Sequence, residues 1–289
     1  MMARVTVRVL GCGDAFASGG RLQTCFFLDA EPDRLLIDCG ATAMVGMRRF
    51  GVDPGLVDTV LLSHLHGDHF AGVPFLLLEA QFVSRRTRPL VLAGPPGTRE
   101  RIFRALEVLF PGSSALAWRF PLEIVELDAG RTDRFGAVSV LPFVVQHPSG
   151  APAFALRLTC GDQVIAYSGD TEWTETLPEV ARHADLFIVE CFTYAPLPTF
   201  HLDFQTLRAR WPELCARRTV LTHMGQDMLE HLDGVDVEAA HDGMLIELPC
   251  GPSRVAAAGA RREPVPAGLS VAKRAGARRA GSPAGGRAR

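Results

Sequence analysis

The run Ser63-His64-Leu65-His66-Gly67-Asp68-His69 packs three imidazoles and a carboxylate into six residues. His64 and His66 are two apart, so on an extended backbone both rings leave from the same side. Gly67 permits a sharp turn. Asp68 and His69 then swing back toward the same point from the first turn of a helix. Neutral imidazole and carboxylate are ligands that Zn²⁺, Mn²⁺ and Fe all accept. One histidine beside a helix-capping aspartate would be ordinary. Three histidines and an aspartate this close point to metal.

The flanking sequence explains how they are held. Thr59-Val60-Leu61-Leu62 reads as a buried strand, and Phe70 to about Val83 as a helix. Ligands bind at such strand-to-helix junctions in open α/β sheets. The second half repeats the pattern. The extended run 137–146 ends at His147, Val164–Ser168 ends at Gly169-Asp170, Leu186–Val189 ends at Glu190, and Val220–Thr222 ends at His223. Each strand delivers one ligand-type side chain at its end, a repetition that packing alone does not require. Upstream, residues 4–10 form a first strand ending in Gly11-Cys12-Gly13-Asp14. A dinucleotide-binding turn needs a third glycine near position 16, where Phe16 stands, so that reading fails. Cys25–Leu28 and Arg34–Gly40 make a meander around a turn at Glu31-Pro32-Asp33. Helices are expected over 41–50 and 98–110, and strands near 121–128, 137–145, 153–160 and 163–167.

His-Leu-His-Gly-Asp-His resembles the HxHxDH motif of the metallo-β-lactamase superfamily. That resemblance implies an α/β fold, a four-layered αββα sandwich, over residues 1–251. It also implies a dinuclear site. His64, His66 and His147 correspond to the ligands of one divalent ion, and Asp68, His69 and His223 to those of the second. Asp170 corresponds to the bridging carboxylate. The ions are expected to be zinc, with manganese or iron as alternatives. Asp38, in Asp38-Cys39-Gly40, matches a superfamily position that supports the ligand loop from behind, and it also fits a helix cap. Two ions of this kind activate water for attack on esters and phosphodiesters.

Within the superfamily the sequence is similar to the ribonuclease Z-like phosphodiesterases. Those proteins carry a glutamate at a strand end and then a histidine in a short turn, matched here by Glu190 and His201. The resemblance places Asp68, Glu190 and His201 in the catalytic set, with His201 protonating the departing alkoxide. A sugar alkoxide leaves poorly without that proton. Three departures argue against a transfer-RNA substrate. Residues 148–163 are too short and regular for the family's RNA-clamping arm. The first loop reads Ser18-Gly19-Gly20-Arg21-Leu22-Gln23 instead of the family's basic signature. The body is acidic, which disfavours a broad RNA footprint. The expected substrate is therefore a small phosphodiester (a cyclic nucleotide or cyclic ribose phosphate) or a short RNA end, with Arg21 a candidate phosphate contact. The alternatives are tRNA 3′ processing, a lactone or thioester hydrolase on the same metals, and an RNA-binding module worked by the tail. His241, before Asp242-Gly243, reads as a turn residue, and His183 and His231 carry no signal.

Bulk properties are those of a soluble globular protein with a substantial core. The 289 residues are 47% hydrophobic and 21% charged. No apolar run reaches the roughly 20 residues of a membrane span, and the N-terminus alternates as a strand does. Seven widely spaced cysteines without a C-x-x-C pair point to a reducing, cytoplasmic compartment. The stretch 252–289 holds nine basic residues against Glu263 alone. That leaves 21 basic against 31 acidic side chains in residues 1–251, a net charge of −10. The tail reads as a basic, low-complexity, disordered extension able to meet polyanions. The family resemblance suggests a homodimer.

Overall fold

The computed structural model describes residues 5–196 and 200–248. The tail at 252–289 and Cys250 lie outside the described residues. Two seven-stranded sheets face each other. The first contains β1 (Val5–Gly11), β2 (Cys25–Ala30), β3 (Asp33–Ile37), β4 (Thr59–Leu61), β5 (Leu90–Gly94) and β6 (Leu122–Glu126). The second contains β7 (Asp133–Phe135), β8 (Val138–Val145), β9 (Ala153–Cys160), β10 (Gln163–Tyr167), β11 (Leu186–Glu190), β12 (Thr219–Thr222) and β13 (Glu238–Ala239). The last strand, β14 (Leu245–Leu248), crosses back to pair with β1 at the edge of the first sheet.

Period-two alternation builds the layers. Val5, Val7, Val9, Phe26, Leu28, Leu35 and Ile37 point between the sheets, where they meet Phe154, Leu156, Leu158, Tyr167, Leu186 and Ile188. Their neighbours Leu10, Phe27, Leu36 and Val60 point outward, under α1 (Ala43–Arg49), α3 (Val73–Leu78) and α4 (Thr98–Leu109). On the far side Ala155, Ala166, Phe187 and Val189 pack under α5 (Leu177–Ala181), α6 (Phe204–Arg210) and α7 (Gln226–Glu230). The central strands are covered on both faces, which is why they read as continuous apolar runs. Each fully buried large apolar side chain contributes about 1.5–3 kcal/mol.

Strand direction gathers the functional ends. β3, β4, β5 and β6 run parallel, as do β10, β11, β12 and β13. β9 is antiparallel to both β8 and β10, so β8 shares their direction. The C-terminal ends of β3, β4, β8, β10, β11 and β12 are followed by Asp38, His64, His147, Asp170, Glu190 and His223, with Glu190 the last residue of its strand.

Two expectations needed correction. The helix expected over 70–83 is split. α2 (Gly67–Phe70) ends one residue after the metal motif, α3 restarts after Gly72, and 79–83 form a wider turn. The cause is the 38–40 loop beneath it. Cys39 donates its N–H to the His69 carbonyl at 2.6 Å and accepts from Gly72 at 2.9 Å. A Cβ on Gly72 would stand 2.2 Å from the Gly40 carbonyl oxygen, so only glycine lets the two segments touch. The second correction is β7, three residues long and too brief to leave a pattern. Residues 146–152 join β8 directly to β9, so no arm is inserted there. Cys12, Cys25, Cys39, Cys160 and Cys191 are buried and unbridged, and Cys215 is exposed and free. No described helix is long and apolar enough to cross a membrane.

Candidate metal centre

All seven residues expected to bind metal converge at this sheet edge. His64, His66 and His147 form one group, and Asp68, His69, Asp170 and His223 another, each with its ligand atoms within 4.8 Å of one another. Asp170 sits at the middle. Its Oδ2 lies 3.3 Å from Nε2 of both His69 and His223, 3.7 Å from Nε2 of His64 and 3.9 Å from Nε2 of His147. One carboxylate therefore reaches both groups. The first sheet supplies His64, His66, Asp68 and His69, and the second supplies the rest.

The outward nitrogens of the rings fix which nitrogen faces the cluster. Ser63 Oγ donates to Asp38 Oδ2 at 2.8 Å and lies 3.1 Å from His64 Nδ1, so it accepts from that nitrogen. His147 Nδ1–H donates to the Phe200 carbonyl at 2.8 Å, and His69 Nδ1–H to Asp38 at 2.7 Å. In each ring Nε2 is left turned inward. His147 Nε2 then stands 3.0 Å from His66 Nδ1, and His69 Nε2 stands 3.3 Å from His223 Nε2. Ring nitrogens face each other at such distances only with a proton or a cation between them. His64 Nε2 and Asp170 Oδ1 are buried without a hydrogen-bond partner. Orphaned inward atoms, paired imidazole nitrogens and a borderline nitrogen-and-oxygen donor set fit two divalent ions.

The charges divide between the groups. Burial pushes His64, His66 and His147 below the ordinary histidine range, so these rings are neutral. Burial acts the same way on His69 and His223, but the Asp170 carboxylate overrides it and raises both. Burial also opposes ionisation of Asp170 and Asp68. The surrounding histidines nonetheless hold both carboxyls well below their usual range. The rings of the first group are biased toward the neutral form that binds metal, and those of the second toward the protonated form.

Asp38 is the support beneath. It is fully buried at φ 56°. Its oxygens accept from the Ser63 amide (2.7 Å), Ser63 Oγ, His69 Nδ1 and the Tyr167 hydroxyl (3.0 Å). Tyr167 belongs to the opposite sheet, so this contact ties the two sheets directly under the centre. The sequence did not single out Tyr167. It lies inside a buried run where an aromatic looks like plain core.

Glu190 and His201 meet as expected, with His201 Nδ1 3.1 Å from Glu190 Oε2 and 3.9 Å from Asp170 Oδ2. Glu190 is buried, and it is held by the Thr171 amide and by its own N–H to Ser168 Oγ. Burial raises its carboxyl. Burial alone would lower His201, but the hydrogen bond and charge of Glu190 lift it to about 9. The His201 side chain keeps 20% of its surface open, on the solvent side of the cluster. Phe192, also missed, lies against His201 with ring centres 4.7 Å apart.

Arg21 has a structural partner instead of a free guanidinium. Its Nη1 donates to the Ala240 carbonyl at 2.8 Å. His241 is exposed, with Nδ1 3.2 Å from the Asp242 carbonyl in its own turn, while Asp242 accepts from the amides of Cys12 and Leu22.

Residues 5–240 match the family described as Anti-Pycsar protein Apyc1. Uncharacterized protein ML1173 of Mycobacterium leprae is 33% identical over 76% of this chain and 78% of its own length. Ribonuclease Z of Halorubrum lacusprofundi is 43% identical over a shorter stretch, 35% of this chain and 31% of that protein, so the match spans about a third of that relative. Among solved structures, the metallo-β-lactamase-fold protein YhfI of Bacillus subtilis has a TM-score of 0.69 at 23% identity, covering 85% of this chain and 99% of that one. The short form of human tRNase Z has a TM-score of 0.68 at 25% identity, covering 84% and 99%. The chain is a metal-dependent hydrolase of the metallo-β-lactamase fold and belongs to the Apyc1 family.

Proposed function

We propose that the protein is a dinuclear phosphodiesterase that opens a small phosphodiester, with a cyclic nucleotide as its substrate. His64, His66 and His147 would hold one ion and Asp68, His69 and His223 the other, with Asp170 shared. Zinc suits the donor set. Ions bound there supply Lewis acidity and lower the pKa of water.

The observation that carries the reading is the hydrogen-bonded Glu190–His201 pair beside Asp170. Glu190 keeps Nδ1 of His201 occupied and its ring charged, so Nε2 can deliver a proton to a leaving alkoxide. An acyl ester with an acidic leaving group has less use for such a donor. The family match supports a small substrate, since members of that family degrade cyclic nucleotides. The acidic body and the short 146–152 connection support it too.

The test is a substrate panel on zinc-loaded protein, containing cyclic nucleotides, precursor tRNA, a nitrophenyl diester, a lactone and a thioester. Turnover should be highest on cyclic nucleotides. His201→Ala should depress that activity about 10²–10⁴-fold while sparing the nitrophenyl diester, whose leaving group needs no proton. Equal loss on both would remove His201 as the acid, and preference for the lactone or thioester would overturn the reading.

A further inference from the structure

Phe200 is strained and exposed at the rim of the centre. Its φ is +80°, a region that bulky residues rarely enter. Yet half of its surface faces solvent, so burial does not repay the strain. Its backbone is fastened on both sides. The amide donates to Glu172 Oε1 at 2.7 Å, and the carbonyl accepts from His147 Nδ1 at 2.8 Å. Glu172 is in turn tied to Gln146, accepting from its side chain at 3.2 Å. Glycine would hold the same backbone without strain and leave both hydrogen bonds intact. The phenyl group is thus not needed to hold this backbone, and half of it is offered to solvent.

Phe192 supplies the second half of the argument. It is partly exposed, its ring lies 4.7 Å from His201 and 6.1 Å from His223, and a Cβ on Gly225 would stand 2.9 Å from it. It is thus wedged as a wall of the mouth. His201 directly follows Phe200 in sequence and leans on Phe192. One aromatic ring, Phe192, therefore borders His201, and a second, exposed aromatic residue, Phe200, directly precedes it in the chain. Neither carries a charge or a hydrogen-bonding group, so they offer an apolar aromatic surface on which a flat π-system can stack.

We infer that Phe200 and Phe192 form a stacking platform for the nucleobase of the substrate and set a preference for base-bearing phosphodiesters over base-free ones. This rests on the phosphodiesterase reading above. Stacking of one base on an aromatic side chain corresponds to a preference on the order of 5- to 150-fold in kcat/KM.

The test compares a 3′,5′-cyclic nucleotide with methyl riboside 3′,5′-cyclic phosphate, which has the same diester and no base. The wild-type protein should prefer the nucleotide within that range. Phe200→Gly, which suits the backbone, should cut the ratio several-fold while zinc content and thermal midpoint hold. Phe192→Leu, which keeps apolar volume beside His201, should do the same. A ratio retained in both variants overturns the platform. Equal cleavage of the two substrates by the wild-type protein overturns it as well, while leaving the phosphodiesterase reading standing. Cleavage of neither overturns both.

Discussion

Asp38→Asn tests whether the support beneath the centre matters as much as the ligands. Three donors converge on Oδ2 of Asp38, from Ser63 Oγ, His69 and Tyr167, and one on Oδ1, from the Ser63 amide. An asparagine has one acceptor oxygen and one donor nitrogen. Its better orientation puts the oxygen toward the three donors and sets its NH₂ against the Ser63 amide. A buried N–H is then left unsatisfied, at about 1–3 kcal/mol, and the bond to His69 loses its charge assistance, about 1 kcal/mol more. We expect the metal-free variant to lose about 2–4 kcal/mol in urea unfolding. The larger consequence is for metal. His69 is held less firmly with Nε2 inward, and weakening such an orienting partner should cost about 10-fold in affinity, the low end of the range for its loss, in zinc competition against a chromophoric chelator. The group around His69 should weaken while the group around His64 keeps its ion. A variant that binds two zinc ions within twofold of the wild-type affinity would refute the orienting role. Tyr167→Phe removes one donor and leaves no polar group stranded, so its effect should be the milder of the two.

The stored protons predict that zinc uptake at neutral pH releases protons, chiefly from His69 and His223, whose basicity is raised above the ordinary range. Affinity should rise with pH, and calorimetry in buffers of different ionisation enthalpy should reveal the release; buffer-independent heats would refute it. Glu190→Gln removes the charge that lifts His201 to about 9. The acid then loses its proton at lower pH, so the alkaline limb of kcat on an alkyl diester should move downward, and an unmoved limb would remove the coupling. Gly72→Ala would force a Cβ against the Gly40 carbonyl. A loss of about 1–3 kcal/mol is expected from such overpacking, accompanied by weaker zinc binding, because the 38–40 loop and α2 must separate.

The strand-end candidates were legible because two local signals coincide at each of them, whereas His66, Asp68 and His69 were read from the clustered motif itself. A short apolar run marks a buried strand, and a histidine or acid directly follows it. His64, His147, Asp170, Glu190 and His223 all carry both marks. Tyr167 carries only the first, and its partner Asp38 is 129 residues away in the opposite sheet. No local pattern records a hydroxyl reaching between sheets. Phe200 was hidden for another reason. Sequence patterns reserve positive φ for glycine and asparagine, and nothing beside Phe200 signals that His147 and Glu172 will force it there. The break at Gly72 escaped because the run through Phe70, Val73, Leu76 and Leu77 keeps a helical apolar period across it. The interruption is imposed from outside by the 38–40 loop. Arg21 was a cation on a flexible loop by sequence, and only the fold supplied the carbonyl that captures it.

The pairing of β14 with β1 has a topological consequence. Val5 lies in register with Leu248, so the two ends of the described fold meet on neighbouring strands. At the far side, the exposed run 128–132 passes from one sheet to the other. A circular permutant opened there, with its old ends joined by a short linker, should keep every strand neighbour. Its order would run β7 to β13 and then β14 followed by β1 to β6, so each sheet would become one uninterrupted length of chain. The natural order hides a two-part molecule, joined in sequence at 128–132, whose two sheets share no strand and supply the clustered His and Asp side chains from opposite sides.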